Sequence, residues 1–236
     1  MSVLTAPPAV RPASQPPVEH EQHFVVGAID WQSYLTIGEV FRDRPAIRIT
    51  YDRGTVEFMT TSPAHEKYKH WLGQVIHTMA DELNVPIEPG GQMTFQRADL
   101  ERGLEPDQCY WIANEARVRG RMDWLPDRDP PPDLVIEIEV SRSALNRMAI
   151  YAALGCPEVW RFDGTTLRVV VLGPDGTYQE VERSPSFPAI SPSALVPFLQ
   201  PNDQVDYLSA IRAFRTWVRQ QLPGQPPATS GGNAIP

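Results

Sequence analysis

Between residues 62 and 84 the apolar positions recur at helical spacing. Tyr68, Trp71, Leu72, Val75, Ile76, Met79, Ala80 and Leu83 follow the i, i+3, i+4, i+7 rule over about four turns. Ser62-Pro63 supplies a start signal, and Asn84 with Pro86 a stop. On either side the pattern changes to period two. The segments 46–52 and 54–60 alternate and are joined through Asp52-Arg53-Gly54, which predicts a hairpin. A short helix is predicted over 31–41, and strands over 87–97, 103–112 and 132–141. A polar stretch rich in Arg and Pro, 113–131, precedes the last of these. A helix follows over 143–154, capped by Ser141 or Ser143 and closed by Gly155 and Pro157. Segments 158–163, 166–172 and 177–183 read as a meander, with turns at Asp163-Gly164 and Pro174-Asp175-Gly176. A basic amphipathic helix is expected near 204–221. Hairpin, long helix, strands, helix and strands in that order predict a mixed sheet flanked by helices, in the α/β (α+β) class.

Composition adds limits. With 236 residues, 42% hydrophobic and 21% charged, the chain has the length and balance of one cored domain. The Pro-rich 1–22 and the Pro/Gly/Ser-rich 222–236 read as flexible tails around a domain at 23–221. No stretch approaches the ~20 apolar residues of a membrane span, and the N-terminal stretch lacks the apolar run of a signal peptide. Cys109 and Cys156 sit in apolar surroundings, as reduced core thiols of a cytoplasmic protein do. The net charge of −8 argues against a protein that coats nucleic acid. It leaves room for an enzyme whose bound cation reverses the local sign.

The candidate chemistry lies in Pro132-Asp133-Leu134-Val135-Ile136-Glu137-Ile138-Glu139-Val140-Ser141. Alternation places Leu134, Ile136, Ile138 and Val140 on one face, and Asp133, Val135, Glu137, Glu139 and Ser141 on the other. Two carboxylates thus share a face, where they repel unless something cationic lies between them. On that reasoning alone, removing Glu137 leaves the metal-free fold intact or more stable. Glu105-Pro106-Asp107 interrupts the strand 103–112, because proline is confined to edges, starts and bulges. It bends the chain and re-aims Asp107.

These segments, with Thr60-Thr61-Ser62-Pro63-Ala64-His65-Glu66 and the later Ser191–Leu199, resemble the Uma2 family of the PD-(D/E)XK nuclease superfamily over roughly residues 30–200. The resemblance implies a restriction-endonuclease-like fold and hydrolysis of DNA by metal-activated water. Asp107 and Glu137 would ligate Mg²⁺ or Mn²⁺, with Glu139 as a further ligand. The superfamily places a lysine two residues after the acid, where this chain has Glu139. In many members that lysine has moved to the next helix, four residues before a tyrosine. Counted from Tyr151, that place is Arg147. His65, inward on the first turn of the long helix, joins the candidate catalytic set. Glu66 and then Glu57 rank below it, and His20, His23, His70 and His77 carry no assigned chemistry. A homodimer is expected, since nucleases that cut both strands often pair symmetrically. The alternatives are a silent nuclease-fold protein that binds nucleic acid or a partner protein, and another metal-dependent hydrolase using the same acids.

Overall fold

The computed structural model describes residues 21–44, 46–200 and 202–222. Of the predicted tails 1–22 and 222–236, residues 1–20 and 223–236 lie outside the described residues. In chain order the elements are β1 (His23–Val26), α1 (Trp31–Phe41), β2 (Ile47–Asp52), β3 (Thr55–Thr60), α2 (Pro63–Leu83), β4 (Glu88–Pro89) and β5 (Phe95–Arg97). There follow β6 (Arg102–Leu104), β7 (Gln108–Trp111), α3 (Glu115–Val118), β8 (Leu134–Ile138), α4 (Arg147–Leu154) and β9 (Glu158–Phe162). The chain continues with β10 (Leu167–Leu172), β11 (Tyr178–Val181), α5 (Pro192–Leu199) and α6 (Tyr207–Gln221).

The mixed α+β class holds, but the strands form two sheets instead of one. One sheet has the order β1-β3-β2-β6-β5, and the other β11-β10-β9-β8-β7-β4. The expected strand 103–112 divides at Glu105-Pro106-Asp107, and its halves β6 and β7 belong to different sheets. Proline cannot donate to a ladder, so the break that bends the chain also hands it from one sheet to the other. The expected strand 87–97 divides likewise into β4 and β5, with Gly91 at φ +59° between them. Pairing is antiparallel throughout except between β8 and β9, which run parallel and are linked through α4.

β8 is buried on both faces, covered by α2 on one and by α4 on the other. Leu134, Ile136 and Ile138 pack with Leu72, Val75, Ile76 and Met79 of α2, and with α5 and α6. Val135 faces the other way, into a core with Ile150, Tyr151 and Leu154 of α4 and both free cysteines. A third cluster, around Tyr34, Ile49, Tyr51 and Val56, seats α1 on the first sheet.

Helix caps explain most boundaries. The Ser62 hydroxyl accepts from the His65 N–H, and Asn84 ends α2 in the left-handed region at φ 52°. The helix expected over 143–154 starts later, at Arg147, because Asn146 takes the cap and accepts from Ala149 N. The final helix likewise begins at Tyr207, capped by Asp206. None of the helices in the described residues is long and apolar enough to cross a membrane.

Gly103 of β6 is the tightest backbone position beside the future site. A Cβ there would meet the ring and hydroxyl of Tyr34, which is buried and stacked 4.6 Å from Tyr51. Gly103→Ala is therefore expected to destabilise the protein by about 1–3 kcal/mol, read by urea denaturation. An unchanged midpoint would mean that the aromatic stack can move aside.

Candidate active site

The two sheets meet where β6 hands the chain to β7, and Asp107 sits at that junction. Its backbone N–H donates to Ile136 O at 3.2 Å, and its Oδ2 accepts from Ile138 N at 2.7 Å. Oδ1 faces His65 Nε2 at 2.7 Å and the Arg48 guanidinium at 3.6 Å. Burial pushes the Asp107 carboxyl up, but His65, Arg48 and the Ile138 N–H outweigh it and hold the pKa low. His65 is itself fully buried, with its Nδ1 2.6 Å from Glu21 Oε1. That contact is an ion pair when the ring is protonated. Burial would lower the His65 pKa, yet the two carboxylates raise it to about 9.

Glu137 is buried on β8 and receives a forked contact from Arg147, Nε at 3.1 Å and Nη2 at 2.6 Å. The Tyr151 hydroxyl also donates to it. Arg147 reaches further, to Thr50 Oγ1 at 2.6 Å and Glu105 O at 2.8 Å, so it ties β2, β8 and the 105–107 bend together. Burial raises the Glu137 pKa, Arg147 pulls it down, and the nearby Asp107 charge pushes it up again; the balance is a raised carboxyl. The count of four residues back from Tyr151 thus leads to a residue that does reach the acid.

Glu139 shares the Glu137 side of the chain and lines the same cleft of about 550 Å³. Its carboxylate is gripped by Arg161 of β9, at 2.8 and 2.9 Å. Glu66 is half exposed and paired with Lys69. His70 contacts Tyr207, and His77 packs on Tyr110, both away from the cleft. Not every buried acid belongs to the site. Asp133 is satisfied by Ile112 N, Asn114 N and the Asn114 amide, and Glu158 by Trp160, Ser184 and Ser186.

Two residues carried no expected role and are drawn in by β1. Glu21, placed by sequence in a tail, contacts His65. His23 contacts Glu57 and Ser141. Glu57 is 2% exposed. Burial raises its pKa, but Ser143, Ala144 N and His23 bring it below the ordinary range. The available signal was the apolar run Phe24-Val25-Val26 after His23, too short to separate from the Pro-rich stretch before it.

A divalent cation would find oxygen donors here. Among the described residues no three His, Cys, Asp or Glu side chains are gathered into a ready cage. Asp107 and Glu137 are nonetheless buried hard donors whose charges are felt by each other. Glu137 stays raised even beside Arg147, because burial outweighs the pull of the guanidinium. Glu21 Oε1, also buried, is spent on the His65 ring. Carboxylate oxygens are the hard donors that Mg²⁺ and Mn²⁺ prefer, and Asp107 and Glu137 are the residues that would supply them.

No curated protein matches the chain. A solved structure of "a putative nuclease belonging to DUF820" from Anabaena variabilis is 16% identical, with a TM-score of 0.44. That match covers 59% of this chain and 84% of the other. Residues 31–206, well over half of the sequence, match Uma2, whose description is "Putative restriction endonuclease". The chain belongs to the Uma2 family.

Proposed function

We propose that this protein is a metal-dependent endonuclease that hydrolyses DNA phosphodiesters at the cleft bearing Glu137 and Glu139. The observation that supports the reading is the meeting of two buried carboxylates, Asp107 and Glu137, across a sheet junction beside a cationic cleft. Asp107 and Glu137 would hold Mg²⁺ or Mn²⁺, and Glu139 could join them only by releasing Arg161. When bound, the cation would polarise the phosphoryl oxygen and lower the pKa of an attacking water. The chain's own residues do the rest. His65 and the Ile138 N–H fix the Asp107 carboxylate in one orientation. Tyr151 and Thr50 hold the Arg147 guanidinium against Glu137, where its charge keeps the acid available to a cation. Arg147 cannot serve as a base, since guanidinium does not deprotonate in proteins. Arg142, Arg161 and Arg168 line the cleft and suit the phosphates of a bound strand.

One observation favours the silent-scaffold reading. Asp107, Glu137 and Glu139 each already face a protein cation, so the site balances much of its charge without metal. Plasmid nicking at saturating Mg²⁺, with calorimetric titration of the ion, separates the two. Glu137→Gln and Asp107→Asn are expected to slow nicking by more than about 100-fold and to abolish ion binding. Arg147→Ala is expected to weaken both, and Arg147→Lys to retain the charge contribution. A wild-type protein that neither binds the ion nor nicks DNA is the scaffold.

A further inference from the structure

Ser141, His23 and Glu57 stand in line, with Ser141 at the wall of the cleft and Glu57 buried behind it. The Ser141 hydroxyl is 2.7 Å from His23 Nε2, and His23 Nδ1 is 2.9 Å from Glu57 Oε1. We propose that these residues form a nucleophile, base and carboxylate relay through which Ser141 attacks the phosphorus of an anionic phosphate ester without a metal. The relay shares no residue with Asp107, Glu137 and Glu139, the ion-binding acids proposed above.

Its geometry is built from three separate parts of the chain. Glu57 comes from β3, His23 from the paired strand β1, and Ser141 from the loop between β8 and α4. Glu57 is fixed on three sides. Its oxygens accept from Ala144 N at 2.8 Å, from the Ser143 hydroxyl and from the His23 ring. An ionised carboxylate has only lone pairs to offer, so the imidazole turns an N–H toward it at Nδ1. Nε2 is then directed at Ser141, the arrangement in which a base takes a hydroxyl proton.

Glu21 Oε2 also accepts from Ser141, so a single hydroxyl proton stands between two acceptors. With the imidazole neutral, the hydroxyl donates to Nε2. With imidazolium, Nε2–H donates to Oγ and the hydroxyl donates to Glu21. A relay buried out of reach would be structural. Here Ser141 lines the cleft, and the His23 side chain is 17% exposed.

The lining of the cleft selects the electrophile. Arg142, next to the nucleophile, has no acidic partner among the described residues, and Arg168 has only Asp163 at 3.8 Å. Guanidinium groups with unspent donors favour phosphate over a neutral acyl ester. In the first step the Oγ–P bond forms while the bond from phosphorus to the leaving oxygen breaks. The Oγ proton passes to His23 Nε2 and from there to the leaving oxygen. Water then attacks the phosphoserine, gives its proton to Nε2, and releases a phosphate monoester as the serine oxygen regains its proton.

The test uses the full chain in EDTA with a biotinylated fluorophosphonate, and peptide mass spectrometry of the adduct. One equivalent of adduct on Ser141 is expected, with fluoride as the leaving group, and none in Ser141→Ala. His23→Ala should slow labelling at least about 100-fold, and Glu57→Gln about 10-fold. Near-ultraviolet circular dichroism shows whether each variant is folded; when His23 is removed, Glu57 keeps Ala144 N and the Ser143 hydroxyl as donors. Hydrolysis of bis(p-nitrophenyl) phosphate in EDTA should fall in the same order. No adduct on folded wild type, or labelling unchanged by His23→Ala, overturns the relay. Labelling without turnover of the diester overturns the substrate class. Loss of Mg²⁺-dependent nicking bears on neither result, because EDTA removes the ion throughout.

Discussion

Glu137→Ala is expected to lower the melting temperature of the EDTA-treated protein by roughly 6–20 °C, corresponding to about 3–5 kcal/mol for a domain of this size. Repulsion between clustered carboxylates, read from the sequence, predicts the opposite sign. The difference is Arg147. Its side chain is 15% exposed and forks onto Glu137. Without that carboxylate the guanidinium keeps only the Thr50 and Tyr151 hydroxyls and the Glu105 carbonyl as direct acceptors, and none of these carries charge. A buried cation without its counter-charge is costly, whereas the pair itself adds little, because both ions were stripped of water to form it. The raised Glu137 carboxyl expresses that same cost. The double variant Glu137→Leu/Arg147→Met should accordingly melt at or above wild type. Calorimetry of the three proteins decides the matter. A single variant as stable as wild type would mean that Arg147 reaches solvent, and that the acid cluster is strained as its sequence suggests.

Much of the frame was legible because it rests on local chemistry. The long helix carries its period, its Ser62 cap and its Asn84 stop within twenty-odd residues, and all three hold. Pro106 announced a bend, and the alternation in 132–141 put Glu137 and Glu139 on one side. What the sequence hid is pairing at a distance. Nothing in residues 87–97 says that its two ends join different sheets. Nothing near Glu139 names Arg161 as its partner, 22 residues on across a parallel ladder. Glu21 and His23 were least visible, because a four-residue edge strand gains its stability from β3 and not from its own pattern. The helix starts later than its serines suggest for a different reason. Ser141 and Ser143 are good caps in isolation, but here their hydroxyls are drawn to Glu21, His23 and Glu57, and Asn146 caps instead.

The second large effect is a pH dependence of stability carried by His65. The imidazole is fully buried between Asp107 and Glu21, and its pKa rises from 6.5 to about 9. Burial by itself works against the charged ring; the two carboxylates more than reverse that. A group whose folded pKa is raised binds its proton more tightly in the native state than in the unfolded one. Its contribution is therefore complete below pH 6.5 and disappears as pH climbs through about 9. The shift corresponds to about 3 kcal/mol, an order-of-magnitude figure for so enclosed a group. Other groups affect stability over the same range, notably the two buried cysteines, whose thiols burial pushes up in the fold while in the unfolded chain they ionise at about 8.5. The informative quantity is thus the difference between wild type and His65→Gln, which keeps a donor for Asp107 but cannot carry charge. Urea denaturation in EDTA at pH 6, 8 and 9.5 should show wild type ahead of the variant at pH 6, with the margin shrinking by about 3 kcal/mol at the highest pH. The His65 Cε1 proton should move with the same midpoint by NMR. A margin that stays flat from pH 6 to 9.5 would mean the ring is neutral throughout, leaving Asp107 to Arg48 and the Ile138 N–H alone.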